Sequence, residues 1–565
     1  MSGLREAKLG PLVGHTSHES SRIWIRAEDS ETGAGSEERT LGVIAIVPAK
    51  DLENAPEKTQ AYYFRMHREN DRTGVFTFGV SSCLTGKKSA ELKAGTDYVV
   101  RAGTLIVDDP FGDDENVSSG KLSDKLPDPN VWINDLLSLR PKFSEARFRT
   151  FPDPAQGVSP SLAFIVGSCR YPGVLWKIKD ADRIFGPLAK EAIEGAPASG
   201  LEKARRPTDL TLMVGDQIYA DMLNRHIPIG LADTFEEFQE RYLTAFGSRK
   251  MRRLLRHVPT YMILDDHEIA DNWHQDRIKK AEARRVFNLA INAYKNYQWS
   301  HSPDSYNGRL YYKFDCGGYP FFVLDTRTQR YFEDVEDSLE DNHLLGRPAL
   351  PGDEPNQLDR LLHWLREQQK TNGNVPKFVV TSSVFAPNPM SARTGRNGTP
   401  EQKVKWAEDS DSWPAFPNTR RAILKTIIEQ KIQNVVFLAG DIHCATVAEL
   451  SFNGPGSASD IKAFSIVSSA FYWPFPFADG EPSNFVHNST TNGQEDWFDI
   501  DEHHVMNYTA RNFTQEDNYC RVDVDKESHS IKVMPFDNEG KLIHDRDFFG
   551  NSKSPLDSRL LLAPW

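Results

Sequence analysis

Residues 161–170 read SLAFIVGSCR and residues 210–219 read LTLMVGDQIY, each an apolar run that ends in a turn carrying reactive side chains. The device recurs in PTYMILDDHE (259–268), YPFFVLDTR (319–327), PKFVVTSSV (376–384), NVVFLAGDIH (434–443) and IKAFSIVSS (461–469). Short runs that are apolar at nearly every position, and rich in β-branched and aromatic residues, read as strands buried on both faces. Helical patterns lie between several of them. TFEEFQERYLTAF (234–246) is opened by Thr234 with Glu237 three residues later, a capping box. ARRVFNLAINAYKNY (283–297), NQLDRLLHWLREQQK (356–370) and TRRAILKTIIEQKI (419–432) repeat their apolar residues at helical spacing. Strands alternating with amphipathic helices predict an α/β body whose sheet is covered on both faces. Ligands of such open sheets gather beyond the carboxyl ends of the strands, so seven strand-end loops from one sheet are expected to converge.

The chain before this body has a different texture. SSRIWIRAE (20–28), TLGVIAIVP (40–48), QAYYFRMHR (60–68), GVFTFGVSS (74–82) and TDYVVRAGTLIV (96–107) are strand-like runs with turn residues and no helices between them. They predict a small all-β sandwich over residues 1–155. The acidic stretch 108–130 reads as a loop or linker. The catalytic-type body is expected over 156–500, and the strand-like segment 501–565 is expected to complete it.

Composition sets the outer bounds. Among 565 residues, 67 Lys and Arg face 80 Asp and Glu, for a net charge of −13. An acidic chain disfavours a polyanion such as nucleic acid as a general partner, although a local basic funnel stays open. No apolar stretch approaches the roughly 18 residues of a membrane span. The start shows no apolar signal region, and five cysteines are sparse and odd in number. Both fit a reducing, cytoplasmic location, with a secreted mature form as the alternative.

The chemistry sits at four strand ends: Gly167-Ser168-Cys169-Arg170, Gly215-Asp216-Gln217-Ile218-Tyr219, Asp265-Asp266-His267-Glu268 and Gly440-Asp441-Ile442-His443. Asp441 and His443, two apart in extended chain, point the same way. A thiolate, a phenolate and an imidazole together suit iron(III), and a carboxylate-rich half suits calcium, magnesium or manganese. Asp216, with two oxygens, is placed to bridge the halves. Taken singly, Cys169 reads as a buried hydrophobe, Asp216 as a cap and His443 as a core histidine. Adjacent carboxylates at a buried strand end, however, repel unless a cation sits with them.

The ordered motifs SCRY, VGDQIYAD, LDDHEIADNW, FFVLDTR and AGDIHCA resemble the PhoD-like alkaline phosphatase/phosphodiesterase family, within the calcineurin-like metallophosphoesterases. The match runs closely over about residues 160–450. The resemblance implies a β-sheet sandwich flanked by helices, preceded by an immunoglobulin/fibronectin-like sandwich domain. It implies iron(III) held by Cys169, Asp216, Tyr219 and His443, and calcium served by Asp216, by Asp266 or Asn272, and by Asp441. Manganese, magnesium or zinc are alternatives. The superfamily's separate metal-binding histidine after the fifth strand is missing, since the chain reads TSSVFAP there. His267 becomes a phosphate contact or the acid for the leaving group, and Arg170 and Arg327 become candidate phosphate clamps. Arg327 reads equally as a structural ion pair.

Two further stretches bear on the pocket. The polar segment 388–420 reads as a lid, with Asp411-Ser412-Trp413 similar to an Asp-x-Trp segment of the family. Phe471, Tyr472, Trp473, Phe475 and Phe477 are expected chiefly to pack the N-terminal domain onto the catalytic one, with an aromatic wall for a leaving group as the second reading. The function expected is metal-dependent hydrolysis of a small phosphate monoester or diester. Its rivals are a catalytically silent binding scaffold and an oxygen-activating iron enzyme, which the Cys/Tyr pair fits poorly.

Overall fold

The computed structural model describes residues 3–28, 39–53, 56–80, 89–107, 126–172, 178–198, 204–221, 231–332, 339–391, 399, 412–475, 481–491, 496–546 and 551–565. It is a mixed α/β protein of several sheets. Seven strands come first: β1 (Leu9–Thr16), β2 (Ser21–Arg26), β3 (Arg39–Pro48), β4 (Gln60–Arg65), β5 (Thr73–Phe78), β6 (Asp97–Val107) and β7 (Glu145–Arg149). They pair in two antiparallel sheets, ordered β1-β2-β5 and β4-β3-β6-β7. Alternation along each strand supplies the layer between them. Ile23 and Ile25 of β2 meet Ile44 and Ile46 of β3, with Phe64, Phe76, Val100 and Phe148 in the same core.

The larger body holds β8 (Ser161–Gly167), β9 (Leu210–Met213), β10 (Thr260–Met262), β11 (Tyr312–Cys316), β12 (Tyr319–Val323), β13 (Lys377–Val380), β14 (Val435–Ala439), β15 (Ala445–Asn453), β16 (Ala463–Val467), β17 (Phe498–Asp499), β18 (Val505–Thr514), β19 (Tyr519–Asp525), β20 (Ser530–Phe536), β21 (His544–Arg546), β22 (Ser552–Pro555) and β23 (Ser558–Leu561). One sheet runs β10-β9-β8-β19-β20-β23 and another runs β11-β12-β13-β14-β16-β15-β18-β17. β8, β9 and β10 are mutually parallel, as are β12, β13, β14 and β16. The apolar pattern alone leads to one sheet, whereas the resemblance implies a sandwich; the seven strands divide three and four between two sheets. The reason lies in the pattern. Phe164 and Val166 of β8 face a layer shared with Phe378 and Val380 of β13, while Ile165 faces the opposite way, into helices. A strand buried on both faces reads the same whether its cover is a helix or another sheet.

Each sheet's remaining face carries helices. Phe185–Glu194, Phe235–Gly247, Arg249–Leu255 and Ala281–Tyr297 cover the six-stranded sheet. Gln357–Asn372 and Pro417–Glu429 cover the eight-stranded one. The C-terminal segment enters both sheets, β18 beside β15 and β19 beside β8. Among the described residues no helix is long and apolar enough to cross a membrane.

A buried pair at the junction helps fasten the N-terminal sheets to this body, alongside other bonds such as that from the Tyr261 hydroxyl to the Thr16 carbonyl at 3.2 Å. Arg26 grips both oxygens of Asp71, at 2.8 and 2.9 Å, and Tyr297 of the helix Ala281–Tyr297 donates to the same carboxylate. Trp24 donates to the Asn296 carbonyl at 2.8 Å alongside. Removing one partner of a buried pair strands the other charge, at about 3–5 kcal/mol. Asp71→Ala is therefore expected to lower the thermal midpoint clearly, whereas Tyr297→Phe, which leaves the ion pair intact, costs about 1 kcal/mol. A melting curve for Asp71→Ala that overlays the parent's would remove this pair from the account.

Candidate metal centre

The loops after β8, β9, β10, β12 and β14 meet because their backbones approach closely. A Cβ on Gly215 would stand 2.4 Å from that of Asp265, and one on Gly440 would stand 2.1 Å from the Ser168 hydroxyl. Glycine is what lets these strand ends touch. Lateral bonds stitch them: Arg170 N to Asp216 O at 2.8 Å, Phe471 N to Ser168 O at 2.7 Å and Ser468 N to Ala439 O at 3.0 Å. Glu268 acts as the hub. Its carboxylate accepts from the backbone N–H groups of Gln217 (2.7 Å), Asp265 (2.9 Å) and Asp216 (3.1 Å), and from the Gln298 amide (3.2 Å).

The price of this gathering is backbone strain. Cys169, Asp216, Asn272, Asp441 and His443 all sit in the left-handed region, with φ of 56°, 55°, 54°, 72° and 50°. For residues with a Cβ that costs about 1–3 kcal/mol each, and it persists only where surrounding structure over-determines it. Five of the seven residues expected as metal ligands share this conformation.

Their donor atoms converge. Ligand atoms of Cys169, Asp216 and His443 lie within 4.8 Å of one another, and so do those of Asp216, Asp266 and His267, and those of Asp265, Asp266 and Asp441. The Tyr219 hydroxyl joins the first group, 3.4 Å from Asp216 Oδ2 and 3.5 Å from His443 Nε2. Asn272 enters through its backbone N–H, which donates to Asp266 Oδ2 at 2.6 Å.

The electrostatics call for positive charge. Burial, reinforced by the Cys169 sulfur, pushes Asp216 well above the usual carboxylate range. Burial raises the Cys169 thiol to about 12 and lifts Tyr219 as well. Three acids side by side are thus driven toward their protonated forms, and a cation in their midst reverses that cost. Burial lowers His443 to about 3, which keeps its imidazole neutral and able to ligate. A thiol, a phenol, an imidazole and a shared carboxylate fit a transition metal, and the Asp265, Asp266 and Asp441 cluster fits a harder cation.

Arg327 supplies part of the compensation. It is fully buried, donates to Asp265 through Nε, and places Nη2 3.4 Å from Asp266 Oδ1 and 3.8 Å from Asp441 Oδ1. Burial alone would raise Asp266, but Arg327 and His267 outweigh it and hold that carboxyl below the usual range. His267 N donates to Asp216 Oδ1 at 3.3 Å, while its ring Nδ1 meets Asp221 Oδ1 at 2.7 Å. Burial would lower its pKa, yet Asp221, Asp266 and Asp216 together carry it well above the ordinary value. Arg170 is placed differently. Its guanidinium lies 5.3 Å over the Phe185 ring in the helix layer, and burial lowers its pKa to about 10, so it remains cationic at neutral pH.

The aromatic segment is also a correction. Trp473 stacks on His443 at 3.6 Å between ring centroids and 11° between planes, and with Phe475 it packs edge-on to Tyr171. These rings line the centre and do not bind the N-terminal domain, because the flat faces of His443 and Tyr219 offer them a partner at hand. Phe471 packs on Phe185. Trp413 is wholly buried against Phe385 and Phe437 and donates to the Ser383 carbonyl, so it belongs to the core. Asp411, Phe477 and most of the 388–411 segment lie outside the described residues. The reading from sequence named Glu268 within its strand-end cluster without giving it a role, and passed over Asp221. Asp221 stands two residues after Tyr219 inside the quoted VGDQIYAD, and Glu268 directly follows His267, so both carried the signal of an acid beside ligand candidates.

Fold and centre together define an α/β protein with clustered candidate metal-binding groups at its strand ends. The family model described as PhoD-like phosphatase matches residues 200–530, and the chain belongs to that family. The matched span includes Asp216, Tyr219, Asp266, His267, Asn272, Arg327, Asp441 and His443, with Cys169 and Arg170 ahead of it. The chain is 23% identical over 368 residues to "Alkaline phosphatase D" of Bacillus subtilis (strain 168), covering 61% of this chain and 58% of that protein's length. A solved structure described as "Structure of PhoD" shares the fold at a TM-score of 0.58 and 17% identity, over 96% of this chain and 89% of the other.

Deleting one donor of the first group tests whether it holds a metal. Cys169→Ala is expected to weaken that position's metal affinity by about 100-fold or more, with circular dichroism unchanged. Elemental analysis of the folded variant reads this directly, and an undiminished transition-metal content would remove Cys169 from the ligand set.

Proposed function

We propose that the chain is a metal-dependent phosphoesterase that hydrolyses small phosphate monoesters, diesters or both. The observation that carries this reading is the overlap of the donor groups: Asp216 belongs to two of them, and so does Asp266. Shared carboxylates are what two neighbouring cations need. The proposal places iron(III) with Cys169, Asp216, Tyr219 and His443, and calcium with Asp216, Asp266 or Asn272, and Asp441. Bound there, the cations supply the charge that activates a water and neutralises phosphate oxygens.

The chain's own groups do the rest. His267 is held through its ring Nδ1 by Asp221, 2.7 Å away, and is the chain's candidate acid for the departing oxygen. Arg327, fixed by Asp265, keeps a guanidinium beside the carboxylates and offsets their repulsion. Trp473, Tyr171 and Phe475 form an apolar rim that suits an aryl or nucleoside leaving group. The same proposal reads the two N-terminal sheets as an immunoglobulin-like domain over 1–155, followed by the catalytic domain. It also places the protein in the cytoplasm, in keeping with free, buried Cys169, Cys316, Cys444 and Cys520. A silent scaffold would have no use for five strained, left-handed side chains around one centre.

Hydrolysis of p-nitrophenyl phosphate and bis(p-nitrophenyl) phosphate tests the reading. The parent is expected to hydrolyse at least one of them, and His267→Ala to lower kcat by about 10²–10⁴ while its metal content stays. A metal-loaded parent inert toward both esters would favour the scaffold instead.

A further inference from the structure

Consecutive residues 296–298, where the helix Ala281–Tyr297 ends, touch both the N-terminal sheets and the metal centre. The Asn296 carbonyl accepts from the Trp24 indole at 2.8 Å, and the Tyr297 hydroxyl donates to Asp71. Trp24 also lies against the Tyr297 ring, 5.7 Å between centroids. Gln298, next in the chain, aims its amide nitrogen at two groups of the larger body. These are the Tyr242 hydroxyl at 3.1 Å and Glu268 Oε1 at 3.2 Å. Tyr242 in turn stacks flat on Tyr297, at 4.7 Å and 5° between planes. The ring that the N-terminal sheets hold and the hydroxyl that Gln298 holds thus belong to one packed pair. Trp24, Tyr242, Tyr297, Gln298 and Glu268 are all fully buried, and close-packed side chains pass a displacement from one to the next.

Glu268 connects this junction to the donors. Its Oε1 accepts from Gln217 N and from Gln298, and its Oε2 from Asp216 N and Asp265 N. The backbone donors are the ligand loops themselves, whereas Gln298 reaches the carboxylate from the helix layer. Without a donor at 298 the carboxylate would keep these bonds to the loops alone and could move with them. We propose that Gln298 is a positioning residue: docking of the N-terminal sheets fixes it, and through Glu268 it fixes the loops that carry Asp216 and Asp265-Asp266. The N-terminal domain thereby takes part in the centre, although the candidate donors all come from the larger body. The consequence for metal binding rests on the proposed function, while the positioning is a property of the chain's own hydrogen bonds.

Hydrogen exchange on the full chain, resolved at single amides, reads the positioning without any metal. Gln298→Leu, which keeps the bulk and removes the donor, is expected to speed exchange of the Gln217 and Asp265 amides about fivefold or more, while those of β14 stay as in the parent. Trp24→Phe, which removes the bond to Asn296, is expected to speed the same two amides in the parent background and to add nothing in the Gln298→Leu background. Tyr297→Phe, which keeps the stacked ring, takes the place of Trp24→Phe should that chain fail to fold. Calcium titration is expected to show affinity lowered about tenfold or more by Gln298→Leu. A parent that binds no calcium counts against the proposed function and leaves the exchange result standing. Unchanged exchange at Gln217 and Asp265, a uniform rise that includes β14, or additive effects of the two substitutions would overturn the positioning role.

Discussion

Acidic groups crowded at buried strand ends are the constraint around which the rest of this structure is arranged. Asp216, Asp265, Asp266 and Asp441, with the Cys169 thiol and the Tyr219 phenol, occupy a space into which water scarcely reaches. Left alone they repel, and burial drives Asp216, Cys169 and Tyr219 toward their neutral forms. The fold answers with fixed positive charge from Arg327 and with backbone N–H groups aimed at Glu268, which anchors the loops. The remaining imbalance is what a pair of cations would neutralise. The left-handed backbone at Cys169, Asp216 and Asp441 follows from the same demand, since extended turns would point the donors apart.

The two sheets make the gathering possible. Parallel strands deliver their carboxyl ends to one edge, and the close packing of Phe164 against Phe321 and Phe378, at 5.8 and 5.3 Å, sets those edges side by side. Cys169, Asp216 and Asp266 come from one sheet, and Arg327, Asp441 and His443 from the other. The centre therefore lies across a seam, and packing in the shared apolar layer governs donor spacing. A substitution in that layer reaches the chemistry through geometry, with no contact to a donor needed.

Much of this was legible in the sequence because strand burial and strand-end chemistry are both local. Apolar runs such as NVVFLAGDIH announce a strand and the side chains it delivers in one reading. The division into two sheets was not legible in the apolar pattern itself, because β8 and β14 are apolar on both faces and the pattern does not name the cover. Asp221 and Glu268 stood inside quoted motifs, but their partners, the His267 ring and the N–H groups of Gln217 and Asp265, are set by three-dimensional turns. Arg170 follows a ligand candidate directly, yet its side chain turns into the helix layer, because neighbouring side chains at a strand end leave in opposite directions.

The central claim is that these strand ends hold two cations that share carboxylates, and metal stoichiometry tied to hydrolysis tests it most directly. Elemental analysis of the chain purified without added metal, followed by chelation and stepwise restoration, would measure both together. The account predicts about two equivalents per chain or more, loss of ester hydrolysis on chelation, and its return only when both positions are filled. Full hydrolysis in a chain stripped of metal would contradict it.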